Sequence, residues 1–121
     1  MVTDIKDRTF DFSVRVVRLC QLLNAAPGAS RTVANQLLRS GTSIGANVEE
    51  AHGSQSNADF IAKMCIACKE APEIHYWLRL LVATDLIANT KLALLLDESN
   101  QLVAILTSIV KKARQSRPKH A

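Results

Sequence analysis

Seven apolar residues, Phe60, Met64, Ala67, Ala71, Ile74, Leu78 and Leu81, recur at alternating steps of four and three. That spacing makes a continuous row only on an α-helix, and a heptad row of this kind packs against other helices at shallow angles. The row keeps its phase across Pro72, so the sequence predicts one long helix kinked at that turn rather than two helices. A row this long needs several partners to cover it. The chain supplies three more segments of helical period. The first runs from about Asp7 to Asn24, with Phe10, Val14, Val17 and Leu22 or Leu23 inward, and stops at the turn signal Pro27-Gly28. Ser30 offers an N-cap for the second, which ends near Gly53. Ser56 and Asp59 make a capping-box-like start for the third. The fourth follows Ile87-Ala88-Asn89-Thr90 and carries Leu92, Leu95, Leu96, Leu102, Val103, Leu106, Ile109 and Val110, with Ser99 and Asn100 as soft spots. Nothing reads as a strand. Four helices on short connections predict an all-α, up-down-up-down antiparallel four-helix bundle, a single domain over residues 1–110.

The second helix is unusual in composition. Gln36, Ser40, Ser43, Asn47, Glu50 and Ser54 recur at four, three, four, three and four, and so form one polar stripe. Val33, Leu37, Ile44, Val48 and Ala51 run beside it as an apolar seam. Gly, Ser, Thr and Asn are poor helix formers, so tertiary packing must hold this segment. Gly41-x-x-x-Gly45 reads as a flat patch that another helix, of this subunit or a neighbour, approaches closely. Asn47→Leu or Gly45→Leu is expected to damage folding or assembly before any chemistry.

With 121 residues and 48% hydrophobic content the chain can bury a sizeable core. Its apolar runs are short and broken by charge, so no membrane span is expected. The opening residues lack the pattern of a signal peptide, and the cytoplasm is the expected location. Three cysteines, an odd number, fit unpaired core thiols better than a disulfide framework. The net charge of +4 is unevenly spread. Residues 1–110 hold 10 Lys and Arg against 11 Asp and Glu, whereas 111–121 hold Lys111, Lys112, Arg114, Arg117 and Lys119 with no acid. This basic tail, continuing the last helix, would attract phosphate polyanions or acidic surfaces, the bland alternative being a solvated terminus. Arg15, Arg18 and Arg31 are candidates to extend the basic surface. Aromatic content of 4% leaves little for base stacking, so nucleic-acid contact would be mainly to the backbone and sensitive to salt.

Catalytic arrangements are not evident. A di-metal bundle needs two Glu-x-x-His motifs, and only Glu49 to His52 supplies one, so no metal or cofactor is expected. Cys65-x-x-Cys68 lies mid-helix, where buried small side chains are the simpler reading than a redox or zinc site. Glu70 and Glu73 could be paired carboxylates, but Lys63, Lys69, Arg79 and, across the bundle, Arg39 favour a salt-bridge network.

Gln36-Leu37-Leu38-Arg39-Ser40, Thr42 to Ala51, Gln55-Ser56, Asp59-Phe60, Ala67, Glu70-Ala71, Glu73 and Tyr76-Trp77-Leu78 resemble the four-helix-bundle proteins named for intervening sequences in bacterial 23S ribosomal RNA genes. That family is similar to the accessory protein of diversity-generating retroelements, which partners a reverse transcriptase and nucleic acid. The resemblance implies a bundle, a ring-like homo-oligomer of five copies and a nucleic-acid partner, and no enzymatic activity. It marks Ser43, Asn47, Glu50, Glu70, Glu73 and Trp77 as structural or interface residues, to which Gln36, Arg39, Gly45 and Tyr76 are added as candidates of the same kind. The expected function is therefore a non-enzymatic oligomeric bundle that binds RNA or DNA. A protein-interaction scaffold and, further off, a di-metal carboxylate enzyme are the alternatives.

Overall fold

The computed structural model describes residues 4–25 and 27–116. Four helices make up the fold: α1 (Ile5–Leu23), α2 (Ala29–His52), α3 (Asn57–Ala83) and α4 (Asn89–Gln115). Two of them start on side-chain caps. The Asp4 carboxylate accepts from the Asp7 amide, and Ser56 Oγ accepts from the Asp59 amide at 3.0 Å, satisfying amides that have no partner within the first turn. Ser30 does not cap α2; the cap is Gly28, whose φ of 84° is open to a residue without a Cβ, and Ser30 falls inside the first turn. α3 stays one helix across Pro72. Pro72 is exposed, so its ring lies on the solvent side of the helix and not in the core.

Short connections make sequential helices antiparallel neighbours, and side-chain contacts fix their register. Cys20 Sγ reaches Ala34 O, Ser13 Oγ reaches Gly41 O, and Lys6 pairs with Glu49, so α1 and α2 run opposite ways. Glu50 pairs with Lys63 and Arg39 with Glu70 between α2 and α3; His75 meets Ser99 and Asn57 meets Ala113 between α3 and α4. The ring of helices closes loosely, because α1 and α4 touch least. Arg8 spans that gap, donating to Glu98 at 2.6 Å and to Gln101 at 3.1 Å. The Glu98 hydrogen bond and charge hold the Arg8 guanidinium above its ordinary value.

The core contains the heptad row of α3, all buried except half-buried Phe60, which meets His52 edge-on. Leu37, Ile44 and Val48 of α2 and Leu92, Leu102 and Leu106 of α4 pack with it. Fully burying each such side chain contributes about 1.5–3 kcal/mol relative to leaving it exposed. α1 corrects the sequence reading. Its buried residues are Thr9, Phe12, Val16, Leu19, Cys20 and Leu23, whereas Phe10 is 65% exposed, Val17 and Leu22 are exposed and Val14 is only half-buried. α1 has two apolar rows, and the glycines of α2 favour one of them: Gly45 receives Ser13 Oγ and the Thr9 carbonyl, and Gly41 leaves room for the Val16 side chain, so the row of Phe12 and Val16 faces the core. By length and composition alone Leu92–Gln115 passes as a candidate span, while its Leu92, Leu102 and Leu106 are buried in the bundle and Asp97 and Glu98 interrupt it.

Cys20 is the buried thiol of the core, and burial pushes it up to about 11 from 9.0. The folded state therefore holds its proton more tightly than the unfolded chain, so this contribution is intact below about pH 9 and is lost as pH rises toward about 11. Urea titrations across that window should show a decline of up to about 3 kcal/mol that Cys20→Ser lacks.

Candidate functional site

The polar stripe of α2 satisfies itself. Ser40 is fully buried and donates to Gln36 O at 2.8 Å; Asn47 Nδ2 donates to Ser43 O at 2.8 Å and Ser43 Oγ at 3.1 Å; Ser54 donates to Ala51 O. These bonds stay within one chain segment, whereas Glu50 of the stripe pairs across to Lys63 on α3. The two glycines act differently, by close approach. A Cβ on Gly41 would lie 2.8 Å from Val16 Cγ1 and Ile74 Cδ1, and one on Gly45 2.8 Å from Ser13 Oγ and 3.3 Å from Thr9 O.

Beside the stripe lies a charge network between α2 and α3. Arg39 donates to Glu70 at 3.2 Å and to Glu73, and to Gln36 at 3.5 Å; Trp77 Nε1 donates to Glu73 at 3.1 Å. Tyr76, half exposed, packs edge-on to Trp77. Both carboxylates are thus paired with one guanidinium, the salt-bridge arrangement rather than a pair of unpartnered acids. Half-exposed pairs of this sort contribute on the order of 1 kcal/mol. Lower on the same flank, Glu50 holds Lys63 above its ordinary value through a hydrogen bond and its charge, at 3.0 Å. Glu49 pairs with Lys6 and His52 Nδ1 meets Val48 O, so the Glu-x-x-His residues have other partners. Among the described residues no group of three His, Cys, Asp or Glu side chains could hold a metal.

One polar pair escaped sequence reasoning. His75 Nδ1 lies 2.9 Å from Ser99 Oγ, and Ser99 donates to Leu96 O at 2.7 Å. Ser99 is fully buried, and the pair ties α3 to α4. The soft spot in the α4 row was its only sequence signal.

Basic residues gather at the C-terminal end of α4. Lys111, Lys112 and Arg114 lie in its last turns, all exposed, where cations also favour the negative end of the helix dipole. Arg117 and Lys119 lie outside the described residues. The antiparallel register puts Arg31, in the first turn of α2, at the opposite end of the bundle, and Arg15 and Arg18 midway along α1. The fold therefore does not gather those three with the α4 cluster. Between α4 and the first half of α3 runs a groove of about 630 Å³ lined by Cys65, Cys68, Lys69, Thr107, Lys111 and Arg114, with Val110 and Gln115. Cys65 and Cys68 are half-buried along it, not sealed in the core as their spacing suggested. Arg114 donates to Cys65 Sγ at 3.3 Å, and burial pushes the Cys68 thiol up, partly opposed by Thr107 and Arg114.

Helices packed by heptad rows, with a polar stripe on α2 and a basic end on α4, define an all-α four-helix bundle. The model of the 23S rRNA-intervening sequence protein family matches residues 2–108, and the chain belongs to that family. It is similar to the crystal structure of a protein of unknown function from the S23 ribosomal protein family of Bacteroides thetaiotaomicron, at 42% identity and TM-score 0.81, covering 89% of this chain and 99% of that one. None of the curated proteins matches it.

Proposed function

We propose that the protein is a non-enzymatic homo-oligomer that binds the phosphate backbone of RNA or DNA through the basic end of α4. The observation that carries this reading is the exposed set Lys111, Lys112 and Arg114 on one helix end, beside Lys69 and with no acidic side chain lining the adjoining groove. Three cations per subunit bind weakly, and self-association multiplies them into a strong local field. Apolar side chains that no helix of the same chain covers support self-association: Phe10 and Val17 on α1, Ile66 and Tyr76 on α3, Leu94 on α4. α1 and α3 are diagonal in the bundle, so a copy could pair one face with the other face of the next, the head-to-tail contact that closes a ring. Five copies is the number the family resemblance implies.

Filter binding of a single-stranded RNA and a duplex DNA over a salt series tests the nucleic-acid part, with light scattering for the assembly. Binding at about 50 mM salt that falls steeply with added salt and is lost on deleting residues 111–121 is expected. A monomer, or binding unaltered by that deletion, contradicts the reading. A protein partner retained after nuclease treatment would favour a scaffold role instead.

A further inference from the structure

We propose that Cys65 and Cys68 form a thiol modification site selective for small disulfides that carry carboxylates. Three observations converge on it. The two sulfurs line an open groove of about 630 Å³, so a small molecule has room and access. Lys69, Lys111 and Arg114 line the same groove with no carboxylate, which suits an anionic reagent and repels a cationic one. Arg114 Nη2 donates to Cys65 Sγ at 3.3 Å, placing a guanidinium where the negative charge of an attacking thiolate develops. The third thiol is an internal control: Cys20 is 3% exposed and its sulfur faces Ala34 O. A soft metal ion is a poor alternative occupant, because three cations surround only two sulfurs.

The chemistry balances. The Cys65 thiol loses its proton to solvent and attacks one sulfur of the disulfide; a protein-to-reagent S–S bond forms, the reagent's S–S bond breaks, and one thiolate leaves with the electron pair. Cys68 lies one turn further along α3, at a Cα separation of about 5 Å that disulfides span, but helical Cβ atoms three residues apart stand about 5–6 Å apart against the roughly 3.5–4.5 Å of a disulfide, so the turn must tighten for the second step. Its attack on the Cys65 sulfur releases the second thiolate, so the protein dithiol is oxidised by two electrons and the small disulfide is reduced to two thiols. Because the helical turn must tighten to bring the sulfurs together, the second step is the slower one, and burial, which pushes the Cys68 thiol up, acts in the same direction. A carboxylate-bearing adduct on Cys65 would also occupy Lys111 and Arg114 and weaken nucleic-acid binding, a consequence that rests on the function proposed above.

The test compares glutathione disulfide with the cationic disulfide cystamine on the intact chain, followed by intact mass and peptide mapping. We expect the anionic reagent to label Cys65 about tenfold faster, with the advantage shrinking in high salt or in Arg114→Gln and Lys69→Gln. In Cys68→Ser the Cys65 adduct should accumulate instead of being resolved. Equal rates for the two reagents, or labelling of Cys20 as fast as Cys65, would overturn the site. If the adduct forms with the expected preference and nucleic-acid affinity is unchanged, only the regulatory consequence falls. If the unmodified chain binds no nucleic acid, the proposed function falls while the modification site stands.

Discussion

Gly45→Leu should lower the stability of the fold by about 3 kcal/mol or more, a large part of what a domain of this size has in total. The first carbon of the new side chain already meets Ser13 Oγ at 2.8 Å and the Thr9 carbonyl at 3.3 Å. Ser13 can rotate away. Thr9 O belongs to the backbone of α1, and the rest of the leucine can be housed only if α1 moves off α2. That motion would pull Phe12 and Val16 out of the core with it. Urea unfolding followed by circular dichroism is the measurement: a large fall in midpoint at unchanged m-value is the expected result. Two other substitutions calibrate it. Gly53→Ala should be close to neutral, since its Cβ would find nothing nearer than 3.7 Å at a φ of −96°. Asn47→Leu should cost under about 1 kcal/mol, because its amide bonds only to Ser43 on the same helix and it is half-buried rather than sealed. The sequence reading expects either Asn47→Leu or Gly45→Leu to damage folding or assembly; the geometry separates them, since Gly45 is a contact surface and Asn47 a locally satisfied amide. Wild-type stability in Gly45→Leu would show that α1 does not sit on the glycines.

Which parts of this were legible follows from how local the determining physics is. The α3 row was readable because a single apolar row on a long helix admits one inward face. α1 was not, because it carries two apolar rows, and the choice between them is made by Gly41 and Gly45 on another helix, a pairing that no spacing within α1 encodes. The same limit applies to the thiols. Cys65 and Cys68 lie within an apolar stretch and read as core, yet α4 passes beside them with small Thr107 and long Arg114 where bulky apolar residues would have closed the groove. Exposure there is decided by the partner helix. His75 and Ser99 are twenty-four residues apart and met only once the α3–α4 register was fixed.

The basic end of α4 was visible as composition, and its strength as a site depends on how its charges are presented, which leads to the second large effect. Lys111→Gln, Lys112→Gln and Arg114→Gln together should reduce nucleic-acid affinity by roughly 10- to 1,000-fold at about 100 mM salt and lower the magnitude of the log K against log salt slope by about 2 to 3. The reasoning is counterion release: each cation that neutralises a phosphate frees a bound counterion, so removing three removes three such contacts per subunit engaged. The fold should be spared, because all three side chains are exposed and none forms an ion pair among the described residues. Glutamine also retains a donor to take up the Arg114 contact with Cys65. Melting temperature and oligomeric state are therefore read alongside binding. The same triple change made at Arg15, Arg18 and Arg31 separates a site from mere net charge: those residues lie midway along α1 and at the far end of α2, so they should move the slope by less than half as much. Equal losses from the two triple variants would mean that the chain attracts polyanions through its overall charge, and that the end of α4 is not a site.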